Sequence, residues 1–288
     1  MPTGSVAGTH DALEGQPGLW TDWLIAASIA IMFAPTFRKL AAYGWRSADY
    51  TYAYFILPIS LWLLSRMRLS RSDGLPAPGV ALCVLGFFSY LFGAQNDFMF
   101  LEALAFVVMV WGVCRIRLTC ASFHRARFPL AYLLFLVPPP ILAIDAVTLP
   151  LKAMSAWGSY LLLRLCHLPV ALHGMMLKVG QHDILISEGC SGFRSMSALL
   201  ALGAFYAYHQ PVPRSAKWLI GLSVVPLGIL GNVVRISLTA VVVHWFGARY
   251  GEGVSHTLSG LVLFPFTLAG LMAVTELVSR RFHVTHDS

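Results

Sequence analysis

Residues 217–245, KWLIGLSVVPLGILGNVVRISLTAVVVHW, hold only two formal charges, Lys217 at the start and Arg235 deep inside. As one helix the run would be about 43 Å long, against the ~30 Å hydrocarbon core of a bilayer. It reads as a membrane span that overshoots, with Pro226 and Gly231-Asn232 expected to break or bend it. A charge in or near hydrocarbon is costly and usually functional, and Arg235 and Arg194 are such charges.

Working outward, seven more apolar segments approach the ~17–25 residues that a helical span needs. With the first they make eight: roughly Leu19–Phe37, Tyr50–Ser65, Gly79–Ala94, Phe98–Cys114, Phe128–Pro150, Gly192–Tyr208, Lys217–Leu238 and Thr257–Val278. Composition agrees. The chain has 288 residues, 57% hydrophobic and only 11% charged, too little charge to clothe a soluble surface. The expectation is an all-α integral membrane protein of one domain, residues 19–278, with tails at 1–18 and 279–288. The first ten residues lack the basic start of a cleavable signal, so the first span is expected to be retained.

The net charge of +7 suggests nucleic acid until it is mapped. Eleven of the 20 basic residues fall in four clusters: Arg66, Arg68 and Arg71; Arg115, Arg117, Arg125 and Arg127; Arg214 and Lys217; Arg280 and Arg281. Alternating spans place all four on the cytoplasmic side, as basic loops should be, with both tails inside. Arg38, Lys39 and Arg46 then lie outside, one cluster against four.

Two stretches do not read as simple spans. Residues 151–168, LKAMSAWGSYLLLRLCHL, carry Lys152 and Arg164, and crossing there would break the alternation; an interfacial helix on the periplasmic face is expected. Val170–Cys190, VALHGMMLKVGQHDILISEGC, alternates and is expected to form a short hairpin outside the bilayer before the sixth span.

Placed on this topology, Cys190 at the start of span 6, Arg235 about 27 Å into span 7 and His256 opening span 8 reach the same face at the same depth. Arg194 follows Cys190 by four residues, on one helix face if the helix starts there. A helix N-terminus and a guanidinium both favour the reactive thiolate. A histidine can shuttle the proton, and an arginine can hold a tetrahedral oxyanion. The chemistry indicated is acyl transfer at a peptide bond. Cys83, Cys114, Cys120 and Cys166 are expected to be ordinary buried apolar cysteines, a Cys166–Cys190 disulfide being a minor alternative. His167, His173 and His182 match no metal spacing, and neither metal nor organic cofactor is expected.

Three ordered blocks resemble the exosortase/archaeosortase family: SEGCSGFRSMSALLAL (187–202), GNVVRISLTAVVVHWFG (231–247) and GEGVSHTLSGLVLF (251–264). TYAYFILPISLWLL (51–64) and FPLAYLLFLVPPP (128–140) are similar to further family segments, so the resemblance runs from about Tyr50 to Val278. It implies a multi-pass bacterial inner-membrane cysteine transpeptidase or protease. Its proposed triad would fall on Cys190, Arg235 and His256, with Arg194 and Asn232 in support. It implies substrates exported with a C-terminal PEP-CTERM-type signal of motif, apolar helix and basic tail, often in exopolysaccharide systems. Where members often carry a His-Gly pair, this chain has Tyr52-Ala53-Tyr54, which bears on substrate recognition.

Two other readings stay open. Gly189-Cys190-Ser191-Gly192 contains the GxSG pattern of rhomboid-type serine proteases, which would pair Ser191 with His256 but leave Arg235 idle. A non-enzymatic transporter or exopolysaccharide assembly subunit would use Arg194 and Arg235 to line a path, though no repeat supports it.

Overall fold

A computed structural model describes residues 17–45, 50–72, 74–186, 193–247 and 254–284. Nine α-helices dominate them: α1 (Pro17–Lys39), α2 (Ala53–Ser65), α3 (Ala77–Gln95), α4 (Met99–Arg117), α5 (Cys120–Tyr132), α6 (Ile141–Leu165), α7 (Phe193–His209), α8 (Arg214–Phe246) and α9 (Val254–Val284). A π-helical turn, Leu40–Gly44, follows α1, and a 3-10 turn, Leu133–Leu136, follows α5. Among the described residues, four stretches are long and apolar enough to cross a membrane: Trp20–Gly44, Ala77–Gln95, Met99–Arg117 and Arg214–Phe246. The molecule is a mostly helical membrane protein.

Contacts between helix ends sort the bundle into two poles. At one pole Asp22 pairs with both Arg71 and Arg117, and Arg71 bridges to Leu118. There too Phe128 stacks on Tyr208 with ring centroids 4.0 Å apart, and Lys217 donates to the Tyr208 carbonyl at 2.6 Å. Val212 and Val278 share a cluster, which brings the end of α9 to the same pole. All four basic clusters therefore gather at one end. At the opposite pole Lys39 binds Asp97 and Glu102, each at 2.9 Å, and Trp45 Nε1 donates to Leu136 O at 3.2 Å. The cations that opposed the charge rule are thus partly accounted for, since Lys39 is neutralised in place. Arg46 lies outside the described residues.

Glu102 is the buried member of that cluster, 1% exposed and also accepting from Thr36 Oγ1 at 2.7 Å. A lone carboxylate there would be costly; the Thr36 hydroxyl and the Lys39 ammonium make it tolerable and lock α1 to α4. Asp97, in the α3–α4 loop, has its carboxyl held below the usual range by the Lys39 hydrogen bond. That arm is complete above about pH 4 and lost on acidification below it.

The α3–α4 hairpin closes on glycines seven residues apart. Added β-carbons at Gly86 and Gly93 would sit 3.1 Å from Met109 N and 3.0 Å from Glu102 N, leaving no room for a side chain. Small residues at such spacing let helix backbones meet in the membrane.

Three differences from the sequence reading have physical causes. The expected span Phe128–Pro150 is cut at Pro138-Pro139-Pro140, which supply no N–H and disfavour a helix before them. Helix α5 starts earlier, at Cys120, and the expected interfacial helix at 151–168 extends back to become α6. Helix α6 leaves the Trp45–Leu136 contact and ends where Leu163 joins Ile236 and Ala240 of α8, so it links two points at the far pole. The hairpin is a three-stranded antiparallel meander, β1 (Val170–His173), β2 (Met176–Val179) and β3 (His182–Leu185), because Gly174 and Gly180 each take a positive φ and each make a turn. Helix α8 is not broken at Pro226 or Gly231-Asn232; it is helical throughout its 33 residues.

Replacing Lys39 with Met should destabilise the protein by about 3 kcal/mol, because Glu102 loses its counter-charge. Adding Glu102→Gln, which keeps a partner for Thr36, should recover most of the loss in thermal unfolding in detergent. Additive losses would contradict the pairing.

Candidate active site

Helix α8 is the axis against which the site residues are placed. It touches α6, α7 and α9 at points where one side has no side chain. Val233 faces Gly158 of α6, where an added β-carbon would lie 2.6 Å from Val233 Cγ2. Val224 faces Gly203 of α7 at 2.7 Å on the same measure, and Gly228 faces the Met196 sulfur at 3.2 Å. Gly231 is closed off by Thr267 of α9, and Gly270 lies against Leu227. Ser159 Oγ of α6 also donates to the Val233 carbonyl at 3.1 Å.

These contacts set an axial register. With α7 antiparallel and Met196 level with Gly228, the first residue of α7, Phe193, comes level with about Gly231. Asn232, 4% exposed, sits at that level, and Arg235, half-buried, stands roughly one turn, about 5 Å, beyond it. On α9, the pairing of Gly231 with Thr267 carries His256, third residue of that helix, level with Val242. His256 is therefore roughly 10 Å farther along α8 than Arg235. The two are stacked along the axis rather than abreast.

Cys190, Ser191 and the rest of 187–192 lie outside the described residues, as do the side chains of Arg194 and His256. Both flanks of that stretch are described. Ile186 belongs to a buried cluster with Ile236 and Ala240 of α8, and α7 begins at Phe193, one turn before Met196 meets Gly228. Chain length alone holds Cys190 within about 10 Å of Phe193 and about 14 Å of Ile186. The described residues on either side of the cysteine thus lie along the part of α8 that bears Arg235. Among the described residues no cluster of His, Cys, Asp and Glu could hold a metal.

A family model described as transmembrane exosortase matches residues 44–273, most of the chain. The chain belongs to the transmembrane exosortase family. No curated protein and no solved structure matches it. The matched region takes in α2 through most of α9 and leaves out α1, and it contains all five candidate site residues.

Sequence reasoning did not single out Ser197 or Ser159. Tyr52, in the segment that departs from the exosortase pattern, hydrogen-bonds the Ser197 side chain one turn into α7. That contact ties α2 to the helix that follows Cys190. Its signal was a serine on an apolar helix, indistinguishable in sequence from Ser195 or Ser223. Ser159 fastens α6 to α8 at the level of Asn232, and its signal was the small-residue pair Gly158-Ser159.

Gly231→Ala should push α8 from α9 and cost about 1–3 kcal/mol through overpacking. Thr267→Ser removes the methyl group that closes the contact, so the double variant should regain stability and activity together. The check is thermal unfolding read beside processing of an exported substrate. A Gly231→Ala protein as stable and active as wild type would show that the register does not depend on this contact.

Proposed function

We propose that this exosortase-family protein is a cysteine transpeptidase or protease that removes a C-terminal sorting signal from exported proteins at the outer face of the bacterial inner membrane. The observation that carries the reading is that the described residues flanking 187–192, Ile186 and the start of α7, lie against α8 on either side of the level of Arg235. In this reading the basic pole faces the cytoplasm, the chain crosses eight times as α1–α5 and α7–α9, and α6 with the meander lies on the periplasmic face. Residues 19–278 form the one membrane domain, flanked by cytoplasmic tails.

The Cys190 thiolate attacks the carbonyl carbon of the scissile peptide bond. The carbonyl oxygen gains negative charge, and the Arg235 guanidinium, which stays protonated at any working pH, stabilises it from the membrane side. His256 takes the thiol proton and returns it to the departing amine as the C–N bond breaks. The axial separation of Arg235 and His256 suits this division, with the reacting carbonyl between an oxyanion partner below and a proton carrier above. A thioester remains on Cys190, and the cut apolar helix with its basic tail leaves into the bilayer. Attack on the thioester by an amine or another acceptor completes transfer, and attack by water completes hydrolysis. Arg194, one turn from Cys190 in sequence, favours the thiolate, and buried Asn232 orients Arg235 from one turn away.

The test uses an exported protein carrying a motif, apolar helix and basic tail, coexpressed with the enzyme. Cys190→Ala should abolish processing, Arg235→Gln should lower it by about 10²–10³, and Ser191→Ala should process normally. Full processing by Cys190→Ala would sink the cysteine mechanism, and loss in Ser191→Ala alone would favour the serine dyad. The mass of the processed C-terminus then separates outcomes: an added acceptor is expected for transfer, and a free carboxylate would leave only hydrolysis.

A further inference from the structure

The meander carries a feature that the triad does not use. Ile186 N donates to Met175 O at 3.0 Å, which fixes the alternation of the β2–β3 ladder. Pairs of the same parity, Leu177 with Ile184 and Val179 with His182, exchange hydrogen bonds, whereas Lys178 with Asp183 and Met176 with Leu185 do not. The backbone N–H and C=O of Asp183 and Leu185 therefore point away from β2, and among the described residues no strand pairs with that edge. The other edge, on β1, packs against the end of α6. The apolar side of the sheet, Leu177 and Val179, is fully buried.

The open edge has a direction and a destination. Gly180, at the turn before β3, lies against His244 of α8, with an added β-carbon 3.1 Å from Nδ1. Ile186, just past β3, clusters with Ile236 and Ala240, and Met196, one turn into α7, meets Gly228. Along β3 the chain thus descends α8 toward the interior of the bundle, and Cys190 follows Leu185 by five residues, at most about 17 Å of chain. A protein exported ahead of a C-terminal apolar helix descends the same way, from outside toward the bilayer.

We infer that the free edge of β3 is the docking strand for the substrate: the extended segment just before the scissile bond adds parallel to β3 at Asp183 and Leu185 and is led to Cys190. This deepens the proposed function and rests on it. Main-chain hydrogen bonds supply affinity in such strand addition, and alternate side chains supply selectivity.

The test measures binding apart from chemistry. A labelled synthetic peptide of motif, apolar helix and basic tail is titrated into the detergent-solubilised Cys190→Ala protein. Asp183→Pro removes an outward N–H while sparing the β2 ladder, and it should weaken binding at least tenfold. In peptides N-methylated one residue at a time before the scissile bond, binding should fall at every second position. Unfolding temperature shows whether Asp183→Pro folds; if it does not, the N-methyl series decides. Undiminished binding by a folded Asp183→Pro protein, or N-methyl effects without alternation, would overturn the docking strand. Wild-type processing that survives Cys190→Ala would overturn the cysteine mechanism while leaving the binding result to stand or fall separately.

Discussion

The close seating of α8 on its neighbours is the constraint from which the rest follows. In a bilayer, apolar surface gives helices no reason to prefer each other over lipid, so backbone approach and shape must do so. Here Gly158, Gly203, Gly228, Gly231 and Gly270 let α6, α7 and α9 come against one helix at four levels. Because each contact fixes both distance and register, the helix carrying Asn232 and Arg235 has one position relative to the starts of α7 and α9. Arg235 is half-buried on that helix, one turn beyond the buried Asn232.

The other half of the bundle does a different job. The α3–α4 hairpin and the Lys39–Glu102–Thr36 lock make a rigid block, joined to the site by the Tyr52–Ser197 contact and by α6. Charge is spent sparingly and at the poles: Asp22 between Arg71 and Arg117 at one, Lys39 between Asp97 and Glu102 at the other. The +7 that first suggested nucleic acid resolves into basic clusters gathered at one pole of the bundle.

Much of this was legible in the sequence because hydropathy and basic clusters are strong, local signals. The helical membrane class and the gathering of Arg66–Arg71, Arg115–Arg127, Lys217 and Arg281 at one pole came from them, and the exosortase family came from the ordered blocks at 187–202, 231–247 and 251–264. What was not legible depended on partners. Pro138-Pro139-Pro140 marks a break only if one knows that α6 has somewhere else to go, and Pro226 fails to break α8 because neighbouring helices hold it. The meander turns once at Gly174 and again at Gly180, and alternation alone does not count strands. The axial step between Arg235 and His256 was invisible, since residue counts from helix starts ignore how antiparallel helices are staggered. Arg235 and Asn232 are placed by the structure; Cys190 is bounded by its flanks, and His256 by its backbone.

The account stands on an acyl group carried by Cys190. Rapid acid quench of the wild-type enzyme with its substrate, followed by mass spectrometry of the digested protein, looks for that bond. The account predicts a hydroxylamine-labile adduct of the substrate's new C-terminus on the peptide containing Cys190. Processing that proceeds with no such adduct, or with an ester on Ser191 instead, would contradict it.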